Sequence, residues 1–124
     1  KDLLIIRPGM MEQESSLEEI YHMSRDYTAF MCCSDYYAAI LMAYLSDHGV
    51  KIPEELSFTG FDDNLISRII RPALTTVRQN VTRKGVLSVE YLLNMIQGLE
   101  PPEWDVRLPV ELVIRNSVKD INRD

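Results

Sequence analysis

The stretch TAFMCCSDYYAAILMAYLSDHGVKIPEELSFTGFDDNLISRIIRPALTTVRQ, residues 28–79, decides the fold of this chain. Two short apolar runs, Thr28–Cys33 and Leu56–Phe61, have the composition of buried strands. Between them, Asp35 stands at the position of a helix N-cap, and Gly49 stands where a helix would end. The apolar residues of this middle segment follow at helical spacing: Ala38, Leu41, Met42 and Leu45. Strand, helix and strand with short links predict an α/β fold, in which a parallel sheet is flanked by helices.

The residues before this stretch extend the same alternation. Leu3–Ile6 is a short apolar run that predicts one more buried strand. Ser15 and Ser16 are each followed three residues later by a glutamate, Glu18 and Glu19, which is the spacing of a capping box. We therefore predict a helix that begins at these serines.

The C-terminal half of the chain contains shorter elements and one long helix. Leu65–Ile70 predicts a short helix, Leu74–Val77 a short strand and Val110–Arg115 a final extended segment. Asn80 is the predicted N-cap of a helix that runs to about Gln97. Apolar residues occupy most of its surface: Val81, Val86, Leu87, Val89, Leu92, Leu93, Met95 and Ile96. Such a wide apolar surface needs covering on more than one side, so we expect the isolated chain to self-associate or to exchange this helix.

The composition excludes some classes of protein. With 124 residues, 46% of them hydrophobic and 26% charged, the chain has the make-up of one soluble domain. A net charge of -6 argues against nucleic-acid binding by this chain itself, because such binding needs a basic surface. We predict no membrane association, since no apolar run could span a bilayer and the first residues do not resemble a signal peptide. Cys32 and Cys33 are predicted to be reduced thiols packed in an apolar strand, which suits a cytoplasmic protein.

Motifs of enzyme chemistry are absent from the sequence. It contains no GxSxG elbow, no Walker loop and no paired-histidine metal motif. His22, His48 and the two cysteines do not have the spacing of zinc ligands. We therefore predict a protein that is not an enzyme and that has no catalytic residues, metal site or cofactor.

Several sequence blocks occur in an order that resembles a known family. They are the apolar strand that ends at Asp35 with Ala38 after it, Gly49 with Pro53-Glu54-Glu55, Gly60-Phe61-Asp62, Pro72-Ala73-Leu74-Thr75-Thr76-Val77, and the ending LPVELVIRNSV. Together they cover Thr28–Val118, with a weaker extension back to Lys1. In this order and spacing the blocks resemble the LacI/GalR family of bacterial transcription regulators.

The resemblance implies a periplasmic-binding-protein-like (type I) fold, in which two α/β lobes enclose a ligand. Residues 1–73 would belong to the second lobe, and residues 74–109 would form a crossover strand and a helix that packs on the first lobe. Residues 110–124 would be a return strand and tail. The resemblance thus implies an incomplete lobe, without the DNA-binding head, most of the first lobe, or the opening strand and helix of the second.

The function implied is effector binding and dimerisation in a DNA-binding transcription regulator. The effector would be a sugar or a sugar-like small molecule, the partner a second copy of the protein, and operator DNA would be contacted only through the absent N-terminal domain. A periplasmic sugar-binding receptor for transport or chemotaxis is the alternative, because it shares the fold and the site positions. The Pro-Ala-Leu-Thr-Thr block and the ELVIRNSV ending favour the regulator. An interaction module with an inactive cleft is a third possibility.

Three polar residues follow strands of the expected sheet: Ser34, Asp62 and Gln79. In parallel α/β sheets, ligands bind at the carboxyl ends of strands, and a carboxylate flanked by neutral polar groups suits a polyol. From the residues alone, Asp62 could equally organise a turn and Gln79 could satisfy backbone groups; the resemblance implies that both contact the ligand. Ser34 stands where the family more often has Asn. Met10 and Met11 occupy the loop where many members place an aromatic ring.

The resemblance also implies a dimer surface made of Ala39, Ile66, Ile69 and Ile70. These residues could instead be core positions, and both interpretations stay open. Asp63 is predicted to be solvated. We expect the one basic stretch to be a solvated face as well; it consists of Arg68, Arg71, Arg78, Arg83 and Lys84.

Overall fold

The computed structural model of the chain describes residue 9 and the ranges 13–100 and 103–121. In chain order, its elements are α1 (Glu14–Ser24), β1 (Ala29–Met31), α2 (Asp35–Asp47), β2 (Ser57–Asp62), α3 (Ile66–Ile69), β3 (Thr75–Gln79), α4 (Val81–Ile96) and β4 (Val110–Val113). The predicted strand Leu3–Ile6 and the loop with Met10 and Met11 lie outside the described residues.

The strands form one sheet in the order β1-β2-β3-β4. The first three strands are parallel, and β4 runs antiparallel to β3. This architecture confirms the predicted α/β fold with a mostly parallel sheet. Within the described residues the predicted strands and the short helix exist, and most of their ends differ from the prediction by one or two residues.

The core lies between α2 and the sheet. Phe58 of β2 and Met42 and Leu45 of α2 have no exposed surface. Ile20 of α1 and Leu74, which precedes β3, belong to the same cluster. The helical spacing of apolar residues in α2 therefore predicted the face that packs on β2.

Gly60 allows α2 to approach β2 closely. A Cβ atom at this position would lie 2.3 Å from Asp35 Oδ1 and 2.8 Å from Leu74 Cδ2. Since real side chains do not pack at such distances, a residue without a side chain is required where the start of α2 crosses the strand.

Two predicted helix starts are wrong. Helix α1 has Gln13 as its N-cap, so Ser15 and Ser16 lie inside the first turn and form no capping box. Helix α2 has Ser34 as its N-cap, and the Ser34 hydroxyl accepts a hydrogen bond from the Tyr36 amide at 3.2 Å. Asp35 is instead the first helical residue, and its carboxylate is fully buried in contacts with other elements.

Helix α4 was predicted correctly and is almost uncovered. Its N-cap is Asn80, whose Oδ1 accepts a hydrogen bond from the Arg83 amide at 2.9 Å. None of its residues is buried. Among the described residues, no helix has both the length and the apolar character needed to cross a lipid bilayer.

The two cysteines have different environments. Strand β1 ends at Met31, before both of them, so the prediction that both are packed in a strand is wrong. Cys32 is half-buried and Cys33 is exposed, and both are free thiols. Burial, with a smaller effect of Cys33, raises the pKa of the Cys32 thiol to about 12.

Candidate ligand site at the strand ends

The three predicted ligand residues follow three neighbouring parallel strands. Ser34 comes shortly after β1, Asp62 is the last residue of β2 and Gln79 is the last residue of β3. Because β1, β2 and β3 are adjacent and parallel, their carboxyl ends lie at one edge of the sheet. This edge is where α/β sheets bind ligands.

Asp62 and Gln79 are in direct contact. Gln79 Nε2 donates a hydrogen bond to Asp62 Oδ1 at 2.6 Å, and both side chains are half-buried. Among the described residues, no group donates a hydrogen bond to Asp62 Oδ2 or to Gln79 Oε1. The pair therefore presents two acceptor oxygens, one of them charged, and favours a ligand that donates hydrogen bonds.

Ser34 has a structural role that the sequence interpretation did not assign. Its Oγ accepts the Tyr36 amide hydrogen as the N-cap of α2. The hydroxyl hydrogen can still be donated, so a cap and a ligand contact are compatible. The hydroxyl is short, however, and reaches less far from the backbone than an amide side chain would.

The backbone after β2 adopts an unusual conformation. Asp62 has a φ of 108° and Asp63 a φ of 53°, both in the positive-φ region that residues other than glycine rarely adopt. The next amide, that of Asn64, donates a hydrogen bond to Asp35 Oδ2 at 2.8 Å. The turn that carries Asp62 is thus strained and is tied to the start of α2.

Asp63 is buried, and the prediction that it is solvated is wrong. Its side chain is 1% exposed and is bound by three arginines. Arg78 Nε lies 2.7 Å and Arg68 Nη2 3.2 Å from Asp63 Oδ2. Arg115 Nη2 and the Ser67 hydroxyl both donate to Asp63 Oδ1. Sequence interpretation missed Arg115, which lies two residues after β4.

These contacts determine the charge of Asp63. Burial alone pushes its pKa upward, but hydrogen bonds from Arg115, Arg78 and Arg68 outweigh it and hold the pKa well below its ordinary value. The hydrogen bond to Asp63 in turn raises the pKa of Arg78. Part of the basic stretch is therefore engaged with a buried carboxylate, so the prediction that it is only a solvated face is wrong for Arg68 and Arg78.

The predicted dimer residues fall into two groups. Ile69 of α3 is 61% exposed and can offer apolar surface to a partner. Ala39 is only 4% exposed, so it has almost no surface to offer and fits the alternative interpretation as a core position. Ile66 and Ile70 are half-buried, and Ile70 packs against the core cluster.

A concave region of about 540 Å³ lies along α4. It is lined by Arg83, Leu87, Glu90, Tyr91, Leu93, Asn94 and Gln97. All of these residues belong to α4 or its C-cap, and none of them is buried. We attribute this depression to an uncovered helix surface, because a ligand pocket needs walls from more than one element.

Comparison with known proteins identifies the domain. A family model described as "Periplasmic binding protein-like domain" matches residues 6–118. The HTH-type transcriptional regulator GalR of Escherichia coli (strain K12) is 37% identical over 105 residues, which are 85% of this chain and 31% of the relative. The chain thus spans about a third of the length of this curated relative.

Comparison with solved structures supports the same family. The periplasmic binding protein/LacI transcriptional regulator from Alkaliphilus metalliredigens QYMF, complexed with D-xylulofuranose, is 27% identical with a TM-score of 0.74, covering 94% of this chain and 42% of that one. The lac repressor dimer bound to operator and the anti-inducer ONPF is 28% identical with a TM-score of 0.70, covering 82% and 36%. The chain therefore belongs to the periplasmic binding protein-like domain family, in the form found in LacI-type transcriptional regulators.

Proposed function

We propose that this chain is part of the effector-binding and dimerisation domain of a LacI/GalR-type regulator, and that its effector is a sugar or a sugar-like molecule. The observation that carries the proposal is the hydrogen-bonded pair of Asp62 and Gln79 at the carboxyl ends of β2 and β3. A relative of the same fold binds D-xylulofuranose, which supports a carbohydrate as the ligand.

The chemistry of the pair suits a neutral polyol. Each buried hydroxyl of a sugar needs a hydrogen-bond partner, and a bond to a carboxylate is stronger than one to a neutral group. In this proposal, Asp62 Oδ2 and Gln79 Oε1 each accept a hydrogen bond from a sugar hydroxyl. The Ser34 hydroxyl donates one to a ring or hydroxyl oxygen.

The effector would act by linkage between two sites. If it binds one arrangement of the two lobes more tightly than another, it shifts their populations and hence the spacing of the DNA heads in a homodimer. Ile69 would contact the second copy, and operator DNA would be contacted by a head outside this sequence. The protein would be cytoplasmic and not an enzyme. The named relatives are transcription regulators, which favours this function over a periplasmic receptor.

A fusion protein tests the proposal. In it, the aligned 105-residue segment of this chain replaces the matching segment of the GalR relative, and calorimetry measures binding of D-xylulose and other neutral mono- and disaccharides. We expect at least one sugar to bind, and Asp62→Asn to weaken its binding by about 1 kcal/mol or more, because a charge-assisted hydrogen bond is lost.

Asp105→Asn is the matched control, because it removes one carboxylate charge from a side chain that is 76% exposed. Equal sugar affinity in the Asp62→Asn and parent fusions would refute the role of Asp62. A fusion that binds its operator but none of the sugars would contradict the proposed effector class.

A further inference from the structure

Two neighbouring contacts join the same two segments of the chain at the end of the sheet. Gln79 binds Asp62 at 2.6 Å, and Arg78 binds Asp63 at 2.7 Å. Each partner of the second contact is adjacent in sequence to a partner of the first. The ion pair therefore lies where it can fix the position of both proposed ligand residues.

The turn that presents Asp62 does not hold its shape by local preference. Two consecutive residues other than glycine with positive φ cost on the order of 1–3 kcal/mol each. Such a conformation persists only where surrounding contacts impose it. The contacts that follow Asp62 in the chain are those of Asp63, and the amide of Asn64 bound to Asp35.

Asp63 is held from three elements at once. Arg68 comes from α3, Arg78 from β3 and Arg115 from the segment after β4. Arg115 Nη1 is bound in addition to the Leu74 carbonyl at 2.8 Å and to the Ser67 hydroxyl at 3.0 Å. The Asp63 carboxylate is thus anchored to parts of the chain that the core already fixes.

Three guanidinium groups face this one carboxylate. Arg78 Nη1 also binds Glu111 of β4 at 3.0 Å, and Glu111 is 66% exposed. Loss of Glu111 would leave the Arg78–Asp63 contact in place, whereas loss of the Asp63 charge would remove the common partner of three guanidinium groups. Neutralising Asp63 and neutralising Glu111 should therefore have different effects, although each removes one negative charge.

We propose that Asp63 is a positioning residue: through its ion pair with Arg78 and its contact with Arg115, it holds Asp62 and Gln79 in their mutual hydrogen bond. Its importance for effector binding rests on the proposed function, but the positioning itself does not. Asp63 would not touch the effector. Asp63 would fix the direction in which the Asp62 carboxylate and the Gln79 amide face the effector.

Nuclear magnetic resonance of this chain, without any sugar, tests the inference. In Asp63→Asn we expect the Gln79 side-chain amide protons to change chemical shift and to exchange with water several-fold faster, because their contact with Asp62 loosens. In the control Glu111→Gln, the Gln79 signals should stay as in the parent chain. A loss of global stability alone would not move the chemical shifts of these protons in the molecules that remain folded.

A folded Asp63→Asn chain with unchanged Gln79 signals would overturn the inference. If that variant does not fold, Arg78→Lys decides instead, because it keeps the charge but lacks the Nε donor. Faster exchange at Gln79 in Arg78→Lys supports the positioning role, and unchanged exchange contradicts it. Since no effector is present, a failure of sugar binding in the fusion leaves this result unaffected, and the two proposals fail separately.

Discussion

Helices α2 and α4 each follow a parallel strand of the same sheet, β1 and β3, but differ completely in burial. Six residues of α2 are buried, and the α2 side chains Met42 and Leu45 have no exposed surface. Helix α4 is longer but buries no residue, and even its apolar side chains Leu92 and Ile96 are 57% and 72% exposed. Helix α2 packs on the sheet, whereas α4 leaves its apolar residues exposed.

The contrast separates two kinds of constraint in one sequence. Around the start of α2, polar side chains at the strand ends contact one another, as Asp62 and Gln79 do, and this is where the candidate ligand site lies. Around α4, the apolar pattern fits a surface that a further structure would cover. Matched substitutions in the two regions should therefore have very different effects.

Leucine truncation should show the largest difference. Leu45 is fully buried, so Leu45→Ala is expected to lower the free energy of unfolding by about 2–5 kcal/mol. Leu92 is 57% exposed, so Leu92→Ala should cost less than about 1 kcal/mol. Urea unfolding monitored by circular dichroism measures both values. Equal losses would mean that α4 is as well packed as α2.

Removal of a carboxylate charge should come next. Asp63→Asn leaves three arginines facing a neutral amide in a buried position, and we expect a loss of about 3 kcal/mol in the free energy of unfolding, moderated because Arg68 and Arg78 are half in water. Asp105 pairs with Arg107 in an exposed segment before β4, so Asp105→Asn should change the stability little. Chemical denaturation at neutral pH measures both losses.

The same carboxylate gives the chain a pH dependence. The folded-state pKa of Asp63 lies below its unfolded value of about 4. Its contribution to the free energy of unfolding is therefore complete above the unfolded pKa and is lost as the pH falls towards the folded pKa. The free energy of unfolding should thus fall more steeply below about pH 5 in the parent chain than in Asp63→Asn. Parallel pH profiles would show that Asp63 is not ionised in these contacts.

Glycine substitutions should have opposite signs in the two regions. Gly60→Ala forces a Cβ against Asp35 and should cost about 1–3 kcal/mol in the free energy of unfolding. Gly85 lies inside α4, where an added Cβ atom would have open space within 4 Å, so Gly85→Ala should stabilise the chain by about 0.5–1 kcal/mol. Thermal melting of the two variants shows the signs. Destabilisation by Gly85→Ala would indicate that a partner covers this side of α4.

The smallest expected effect concerns self-association. The isolated chain should show a mass above that of the monomer in light scattering at high concentration, because α4 has no partner within the described residues. Leu93→Lys, on the exposed side of α4, should raise the dissociation constant by up to about tenfold, about 1.4 kcal/mol. A monodisperse monomer at high concentration would contradict this expectation.

The sequence predicted what depends on local pattern. The strand and helix order, the end of α2 near Gly49, the cap at Asn80 and the uncovered surface of α4 follow from spacing and composition. The resemblance to regulators added the positions of Asp62 and Gln79, which the structure then brings together.

Contacts between distant parts of the chain were not predictable in this way. Asp35 binds Asn64 and Thr76, which are 29 and 41 residues away, and so lost its predicted role as a cap. Asp63 binds Arg115, which is 52 residues away. A charged residue next to an apolar strand can be solvated or buried with a partner, and only the fold decides which.

A crystal structure of the GalR fusion with a bound sugar tests the central claim most directly. The account predicts the sugar at the carboxyl ends of β1, β2 and β3, with a hydroxyl within hydrogen-bond distance of Asp62 Oδ2 and the Gln79–Asp62 contact intact. A sugar bound elsewhere, such as in the depression along α4, with Asp62 turned away from it, would contradict the account.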